Sequence, residues 1–273
     1  MRKNTDLSAV MEIFTDMAVP SCVVVTFVFR DLTPKEQLFM KQNATVLRNH
    51  PFVVVHPESY PVDYLLETYP WISDITVEDK WMSSVMAYNA MMLSPWFYEM
   101  FSDYDYMLIC QTDAYVFSDQ LDDWCLRGYD YVGAPWLGND TIYERTLGTV
   151  VRPIMKRLVP VRNFRVHSDH LYHEVGNGGF CLRRVSKMIQ VMRDNQDIIR
   201  QCKGKHERME DVMICIILGS RECIRRPKWE EALYFSFEKA PRWCLEITGG
   251  VYPFGCHDTN ARYWESFWKE RIM

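Results

Sequence analysis

The sequence has no apolar run long enough to cross a membrane. Its longest run extends from Cys22 to Phe29 and is interrupted by Thr26, whereas a spanning helix needs about 20 apolar residues. The opening residues mix charges and contain no apolar signal core, so they do not indicate a secretory signal. Basic residues are not in excess either, since 31 of them stand against 36 acidic ones for a net charge of −5. We therefore expect a cytoplasmic protein that does not bind nucleic acid.

Several sequence motifs are missing as well. The nine cysteines include no C-x-x-C pair and mostly lie in apolar stretches, which predicts reduced core thiols rather than a cysteine zinc site. The sequence has no Gly-x-x-x-x-Gly-Lys-Ser/Thr loop, which argues against a P-loop kinase, and no Gly-x-Ser-x-Gly elbow, which argues against a hydrolase of that type. No internal repeat and no linker rich in Pro, Ser or Gly occurs, so we predict one domain over 1–273.

The amino-terminal part of the chain has the pattern of a β-α-β unit. Cys22–Phe29 is β-branched and almost wholly apolar, which is typical of a strand buried on both faces. In the following segment Thr33 can act as N-cap, Pro34 as the first helical residue and Glu36 as the third, which together form a capping box. The predicted helix runs to about Asn49, and 52–56 is the next strand. This order predicts an α/β fold with a mixed, mostly parallel central sheet flanked by helices.

The rest of the chain adds elements with weaker patterns. We predict an amphipathic stretch over 82–100, strands over 104–110 and 180–184, a helix over 186–195 with Ser186 as N-cap, a short apolar helix over 211–218, and a surface helix in the tail 258–273.

The segment 139–175 has few periodic signals and is predicted to be an irregular insertion or lid. Within 141–166 there is one acidic residue, Glu144, and there are six basic ones: Arg145, Arg152, Lys156, Arg157, Arg162 and Arg165. Two interpretations are open. The segment is either a solvated insertion or a patch for an anionic acceptor or a membrane surface, with peripheral contact at the inner face of the membrane.

The best candidate for metal chemistry follows the predicted strand 104–110. Gln111 and Asp113 are two residues apart, so their side chains project on one side of an extended backbone. Ligands bind at the carboxyl ends of strands in open α/β sheets, and amide and carboxylate oxygens suit Mg²⁺ or Mn²⁺. His257, in a glycine-containing loop, could complete such a site if the fold brings it near Asp113. The alternative is a turn in which Asp113 bonds only to local backbone.

Two other motifs have both a structural and a functional interpretation. The three glycines of 176–179 permit positive φ and a close approach of the backbone to a ligand, or they form a hairpin turn. Glu210 and Asp211 precede an apolar helix, where they either cap it or provide a rigidly held general base. His167, His170 and His173 lack the H-E-x-x-H spacing, and they leave a metal-dependent hydrolase as a minor alternative.

The order of these motifs resembles the GT-A fold of nucleotide-sugar glycosyltransferases. A buried strand is followed by (D/Q)-x-D, G-x-G-G, Glu-Asp at a helix start and a late histidine. Three segments are more specifically similar to a bacterial glycosyltransferase-like family of unassigned function associated with surface-glycan assembly. They are YNAMMLSPWFYEMFSDYDYMLICQTDAYVFSDQLDDWCLRGYDYVGAPW (88–136), VGNGGFCLRR (175–184) and EDV (210–212).

The resemblance implies roles for individual residues. Asp113 would be the metal-binding Asp of the DxD motif, with Gln111 in place of the first Asp, and His257 would be the second metal ligand. Asp211, beside Glu210, would be the catalytic base. The residues implied to border the nucleotide sugar or acceptor are Thr26, Phe29, Glu58, Tyr88, Asn89, Gln111, Thr112, Asp113, Trp136, Asn177, Gly178 and Gly179.

The activity implied is metal-dependent transfer of a sugar in polysaccharide biosynthesis, with inversion of the anomeric configuration and with retention as the alternative. The donor would be a nucleotide sugar, with a UDP-sugar as the family-level expectation, and the acceptor a glycan or a lipid-linked glycan. Mn²⁺ or Mg²⁺ would be the cofactor. Because Gln111 replaces a carboxylate, a non-catalytic nucleotide- or glycan-binding module with a degenerate site is the alternative.

Overall fold

A six-stranded sheet forms the centre of the protein in a computed structural model, which describes residues 18–138, 141–159, 161, 164, 166–202, 209–219, 221–257 and 263–273. The strand order is β3-β2-β1-β4-β7-β6. Strands β1 to β4 are parallel, and β7 is antiparallel to both β4 and β6. The strands are β1 (Cys22–Phe27), β2 (Phe52–Pro57), β3 (Ile72–Val77), β4 (Tyr106–Cys110), β6 (Tyr131–Gly133) and β7 (Phe180–Arg184). The predicted α/β fold with a mostly parallel sheet is therefore confirmed.

Helices cover both faces of this sheet. Alternate residues of β1 enter opposite apolar clusters, with Val23 and Val25 on one side and Cys22 and Val24 on the other, as expected of a strand buried on both faces. The helices are α1 (Pro34–Val46), α2 (Asp63–Thr68), α3 (Val85–Met92), α4 (Pro95–Glu99), α5 (Leu121–Leu126), α6 (Thr149–Leu158), α7 (Ser168–Leu171), α8 (Val185–Asp194), α9 (Gln196–Cys202), α10 (Glu210–Val212), α11 (Trp229–Ala232), α12 (Pro241–Ile247) and α13 (Lys269–Ile272).

A second, three-stranded sheet lies beside the first. It consists of β5 (Tyr115–Val116), β9 (Gly255–Cys256) and β8 (Ser236–Phe237), in the order β5-β9-β8. Strand β5 begins two residues after Asp113, and β9 ends at the residue before His257. Because β5 pairs with β9, this small sheet holds two distant parts of the chain together.

The capping box at the start of α1 is present as predicted. The Thr33 hydroxyl accepts a hydrogen bond from the Glu36 N–H, and the Glu36 carboxylate accepts one from the Thr33 N–H at 2.8 Å. The helix ends at Val46 rather than Asn49, since the chain turns through 47–50 to enter β2 after Pro51.

Several other predicted boundaries were wrong. The stretch 82–100 is two helices, because Pro95 begins α4 and cannot continue α3. Ser186 is not an N-cap, since α8 begins at Val185 directly after β7. The described part of 139–175 is largely helical: a π-helical turn, Glu144–Gly148, leads into α6, and α7 follows.

The tail is helical over 263–272, as predicted, but it is not wholly on the surface, and 258–262 lie outside the described residues. A π-helical turn, Trp264–Trp268, precedes α13, and Phe267 and Trp268 are buried with the aromatic residues of the small sheet. All nine cysteines are free thiols, of which only Cys223 is exposed. No helix formed by the described residues combines the length and the apolar character needed to cross a bilayer.

Candidate functional site

A cavity of about 860 Å³ opens at the carboxyl ends of β1 and β4. Strand order reverses at this point, because β2 and β3 lie to one side of β1 and β4 lies to the other. Such a crevice is the usual ligand position in open α/β sheets. The lining residues are Phe27, Phe29, Arg30, Thr33, Lys35, Glu36, Met82, Ser83, Ser84, Val85, Tyr88, Gln111, Thr112, Asp113 and Met209.

Three potential metal-ligand atoms meet at one side of this cavity. Nε2 of His257 lies 3.2 Å from Oε1 of Gln111 and 3.2 Å from Oδ1 of Asp113. A cation bound octahedrally at about 2.1 Å from each ligand places neighbouring ligand atoms about 3 Å apart. The spacing and the mixture of hard oxygens with one imidazole therefore fit Mn²⁺ or Mg²⁺. Burial would raise the pKa of Asp113, but the adjacent His257 lowers it below its ordinary value, which keeps the carboxylate ionised.

The small sheet explains how His257 reaches this position. The backbone N–H of His257 donates to the carbonyl of Phe237 at 3.0 Å. His257 directly follows β9 in the chain, and β9 pairs with β5. No set of three or more His, Cys, Asp or Glu side chains suited to a metal occurs among the described residues. The candidate metal site therefore depends on the Gln111 amide as its third ligand.

The glycine-rich segment 176–179 lets the side chains of Glu210 and His257 approach the backbone closely. A Cβ on Gly179 would overlap the imidazole of His257, and a Cβ on Gly178 would overlap the carboxylate of Glu210. Neither glycine has a positive φ. The segment leads directly into β7, which lies beside β4. At this junction the Gln111 N–H donates to the Gly179 carbonyl at 2.9 Å. The hairpin interpretation is therefore wrong, and the close approach is to His257 and Glu210.

Glu210 is buried in a charged network behind the site. Oε1 of Glu210 accepts from Nη2 of Arg183 at 2.9 Å, and the side chain of Arg183 is fully buried. Arg183 also donates to the Tyr98 hydroxyl at 2.7 Å, and the Glu210 N–H donates to Oδ1 of Asn89 at 2.7 Å. Glu210 is thus placed to anchor the start of α10 rather than to meet a substrate.

Asp211 is in a different environment from its neighbour. Burial and the adjacent Glu210 raise the pKa of Asp211 from 3.8 to about 7. Its Cβ lies against Gly178, next to the Gly179 backbone that supports His257. A carboxylate whose pKa is near neutrality, fixed on a helix beside a candidate metal site, has the properties of a general base.

The opposite wall of the cavity contains a second charged network, which the sequence patterns did not reveal as part of a site. Glu36 accepts two hydrogen bonds from Arg30, at 2.8 and 2.9 Å, and one from the Thr112 hydroxyl at 2.8 Å. Burial would raise the pKa of Glu36, but the bonds from Arg30, Thr33 and Thr112 lower it to about 2. The capping box identified Glu36 only as a helix cap, and Arg30 had no signal beyond its position after β1.

The structure separates the predicted donor-site residues into two groups. Those that line the cavity are Phe29, Tyr88, Gln111, Thr112 and Asp113.

The second group lies elsewhere and has structural contacts. Thr26 is buried within β1, and Glu58 follows β2 on the exposed surface. Asn89 bonds to the Glu210 backbone, and Oδ1 of Asn177 accepts from the Gly179 N–H at 3.1 Å. Trp136 is buried against Gly176 and has no free face for a sugar.

The histidine cluster does not form a metal site. Nδ1 of His170 accepts from the His167 N–H at 2.9 Å, and its other ring nitrogen contacts the Val159 carbonyl. His173 is stacked between Tyr172 and Trp229, and burial lowers its pKa to about 4. The rings of His167 and His170 are thus not arranged around a common point with His173.

The fold and the site define an α/β protein of Rossmann-like architecture with a polar cavity at its switch point. Residues 72–257 match the family described as Protein of unknown function (DUF5672). This match covers more than half of the chain, and the chain belongs to that family. A search of the curated proteins finds no match. The matched range contains Gln111, Asp113, Asp211 and His257, and it begins after β1 and Arg30.

Proposed function

We propose that this protein is a metal-dependent glycosyltransferase that uses a nucleotide-sugar donor, with a UDP-sugar as the first candidate. The observation that supports the proposal is the convergence of Gln111, Asp113 and His257 beside an 860 Å³ cavity at the switch point of the sheet. The cavity combines an exposed aromatic side chain, Phe29, with polar and charged walls. This combination suits a nucleoside joined to a diphosphate.

The residues of the chain have distinct roles in this proposal. Gln111, Asp113 and His257 would hold Mn²⁺ or Mg²⁺, which would supply positive charge to stabilise the departing nucleoside diphosphate. Arg30 is fixed by Glu36 at the cavity wall, where its guanidinium adds a positive charge to that of the metal ion. Tyr88 accepts a hydrogen bond from Nε2 of Gln111 at 3.1 Å and so orients the amide oxygen of Gln111 towards His257.

Asp211 is the proposed general base. It takes the proton of the acceptor hydroxyl while that oxygen bonds to the anomeric carbon and the bond from this carbon to the diphosphate oxygen breaks. The anomeric configuration is therefore inverted. A base whose pKa is near 7 is ionised in a large fraction of molecules at neutral pH and still takes up a proton readily. The acceptor in this proposal is a glycan or a lipid-linked glycan.

The test is a thermal-shift series with nucleoside diphosphates, each with and without Mn²⁺. A ligand that binds the folded state raises the melting temperature as its concentration exceeds its Kd. We expect an Mn²⁺-dependent rise with one nucleotide, lost in Asp113→Ala and retained in Asp103→Ala, which removes an exposed carboxylate elsewhere. If no nucleoside diphosphate raises the melting temperature with any divalent cation, the proposal fails.

One observation favours a second candidate, a binding module without turnover. The candidate metal site has a single carboxylate, Asp113, because position 111 is an amide, and fewer charged oxygens bind divalent cations less tightly. Turnover by the wild type separates the two functions. A transferase consumes the nucleotide-sugar donor with Gln111 in place, whereas a binding module binds the nucleotide and leaves the donor intact.

A further inference from the structure

The helical segment formed by the π-helical turn Glu144–Gly148 and α6 has its charged face inward and its apolar face outward. Among the exposed apolar residues of this segment and the residue just before it, five recur at spacings of four, three, four and four residues. On α6, at about 100° per residue, Val150, Ile154 and Leu158 fall within an arc of about 80°. Tyr143, just before the π-helical turn, and Leu147, within it, are exposed as well. We call these five residues the outer stripe: Tyr143, Leu147, Val150, Ile154 and Leu158.

The inward face holds most of the basic residues of this segment. Arg145 pairs with Glu246, Arg152 with Glu144 and Asp169, and Lys156 with Glu174. On α6, Arg152 and Lys156 lie about 160° from the centre of the row formed by Val150, Ile154 and Leu158. The interpretation of the segment as a solvated basic insertion is therefore wrong for these residues, because their charges face the protein.

Arg157 is the exception. It is exposed, it lies at the border of the outer stripe, and it makes no ion pair with any other residue that the structure describes. Arg162 and Arg165 follow in the sequence and lie outside the described residues. Among the described residues, the outer stripe is thus a row of apolar side chains with one cation, Arg157, at its border, in a chain whose net charge is −5.

We propose that the outer stripe docks onto the surface of an anionic lipid bilayer. An interfacial helix places an apolar face at the level of the acyl chains and adjacent cations at the headgroups. The outer stripe is a convex face on a single helix, which suits a planar surface. A second copy of the chain would bring together two faces that each carry Arg157, and that like-charge contact opposes self-association. This inference is independent of sugar transfer.

The docked segment lies close to the candidate site. Lys156 pairs with Glu174, two residues before the segment 176–179 that contacts His257 and Glu210. Binding through the outer stripe would therefore fix the orientation of the cavity relative to the bilayer.

Co-sedimentation with vesicles tests the proposal without any nucleotide or acceptor. The vesicles contain phosphatidylcholine alone or with about one third phosphatidylglycerol. We expect stronger binding to the anionic vesicles and a roughly tenfold or greater loss of binding in the triple variant Leu147→Ser, Val150→Ser, Ile154→Ser. Arg157→Glu should weaken binding a few-fold on anionic vesicles only.

A matched triple variant, Leu38→Ser, Tyr64→Ser, Leu126→Ser, removes exposed apolar side chains from other helices and should bind like the wild type. The proposal is overturned if the wild type stays in the supernatant or if both triple variants lose binding equally. Sedimentation equilibrium provides the remaining outcome. A wild-type dimer that the outer-stripe variant abolishes, without vesicle binding, assigns the stripe to a second copy and also overturns the proposal. Because the assay contains no donor, neither result depends on the thermal-shift series.

Discussion

Ion pairs have different surroundings in two regions of this protein. Behind the candidate site, Arg183 and Glu210 form a pair whose side chains are 0 and 5 % exposed. Beneath the outer stripe, the pair Arg145 and Glu246 has side chains that are 29 and 61 % exposed. A desolvated pair is strongly coupled to its neighbours, whereas an exposed pair is screened by water. The comparison indicates a desolvated pair behind the site and a water-screened pair at the start of the neighbouring helical segment.

The largest effect should come from breaking the buried pair. Arg183→Met leaves Glu210 buried without a cation and should lower the free energy of unfolding by about 3–5 kcal/mol. The double variant Arg183→Met, Glu210→Gln removes both charges and should recover much of this loss. Urea denaturation measures both. Equal destabilisation by the single and double variants would contradict the assigned role of the charge pair.

The next largest effect on stability should come from filling the space above the backbone of Gly179. Gly179→Ala introduces a methyl group that overlaps the His257 imidazole, so it should cost about 2–3 kcal/mol of stability and weaken Mn²⁺ binding. In a His257→Ala background the same substitution should cost less than about 1 kcal/mol, since the clash is gone. Calorimetric melting of the four proteins completes the cycle. If the cost is unchanged in that background, contact with His257 is not the reason for glycine at 179.

A smaller effect concerns Asp211 and pH. Its pKa is about 7 in the folded protein and about 4 in the unfolded chain, so the folded state binds the proton more tightly. The stability due to this protonation is fully present below about pH 4 and is lost as the pH rises to about 7. Asp211→Asn should therefore be more stable than the wild type at pH 8, by about 1–3 kcal/mol, and about equally stable at pH 4.

The same substitution should abolish most of the transfer activity, which in the wild type should rise with pH through about 7. Denaturation at the two pH values and a pH–rate profile measure the two effects. Asp194→Asn, on α8, is a control that should change neither. A variant less stable than the wild type at pH 8 would contradict the raised pKa.

The smallest effect on stability is expected in the helical segment that carries the outer stripe. Arg145→Gln breaks an exposed pair and should change the free energy of unfolding by less than about 0.5 kcal/mol. Thermal melting at low and high salt measures the change. A loss comparable to that of Arg183→Met would mean that the helical segment is as tightly held as the site, and the distinction between the two regions would disappear.

The parts of the fold that were predictable have strong local patterns. The buried strand beginning at Cys22 and the capping box of Thr33 and Glu36 each depend on a few adjacent residues. Gln111 and Asp113 lie at the cavity because a polar pair after a buried strand marks the ligand edge of a parallel sheet.

The parts that were missed have weak or misleading patterns. Strand β3 is half exposed and interrupted by Asp74, and α6 contains Pro153, which normally ends a helix. The inward orientation of Arg152 depends on Glu144, eight residues earlier, and on Asp169 of α7. The meeting of His257 with Gln111 depends on two-residue strands that are too short to have a periodicity.

The placement of β7 also determines when the candidate site can first exist during synthesis. Strand β4 has an unpaired edge until Phe180–Arg184 emerges and adds antiparallel to it. Gln111 and His257 are 146 residues apart, which at 5–20 residues per second corresponds to roughly 7 to 30 s of translation. The edge of β4 is exposed for a shorter time, since Phe180 pairs with Cys110 and follows it by 70 residues, or roughly 4 to 14 s of translation. Until then it is a binding site for chaperones and a hazard for aggregation.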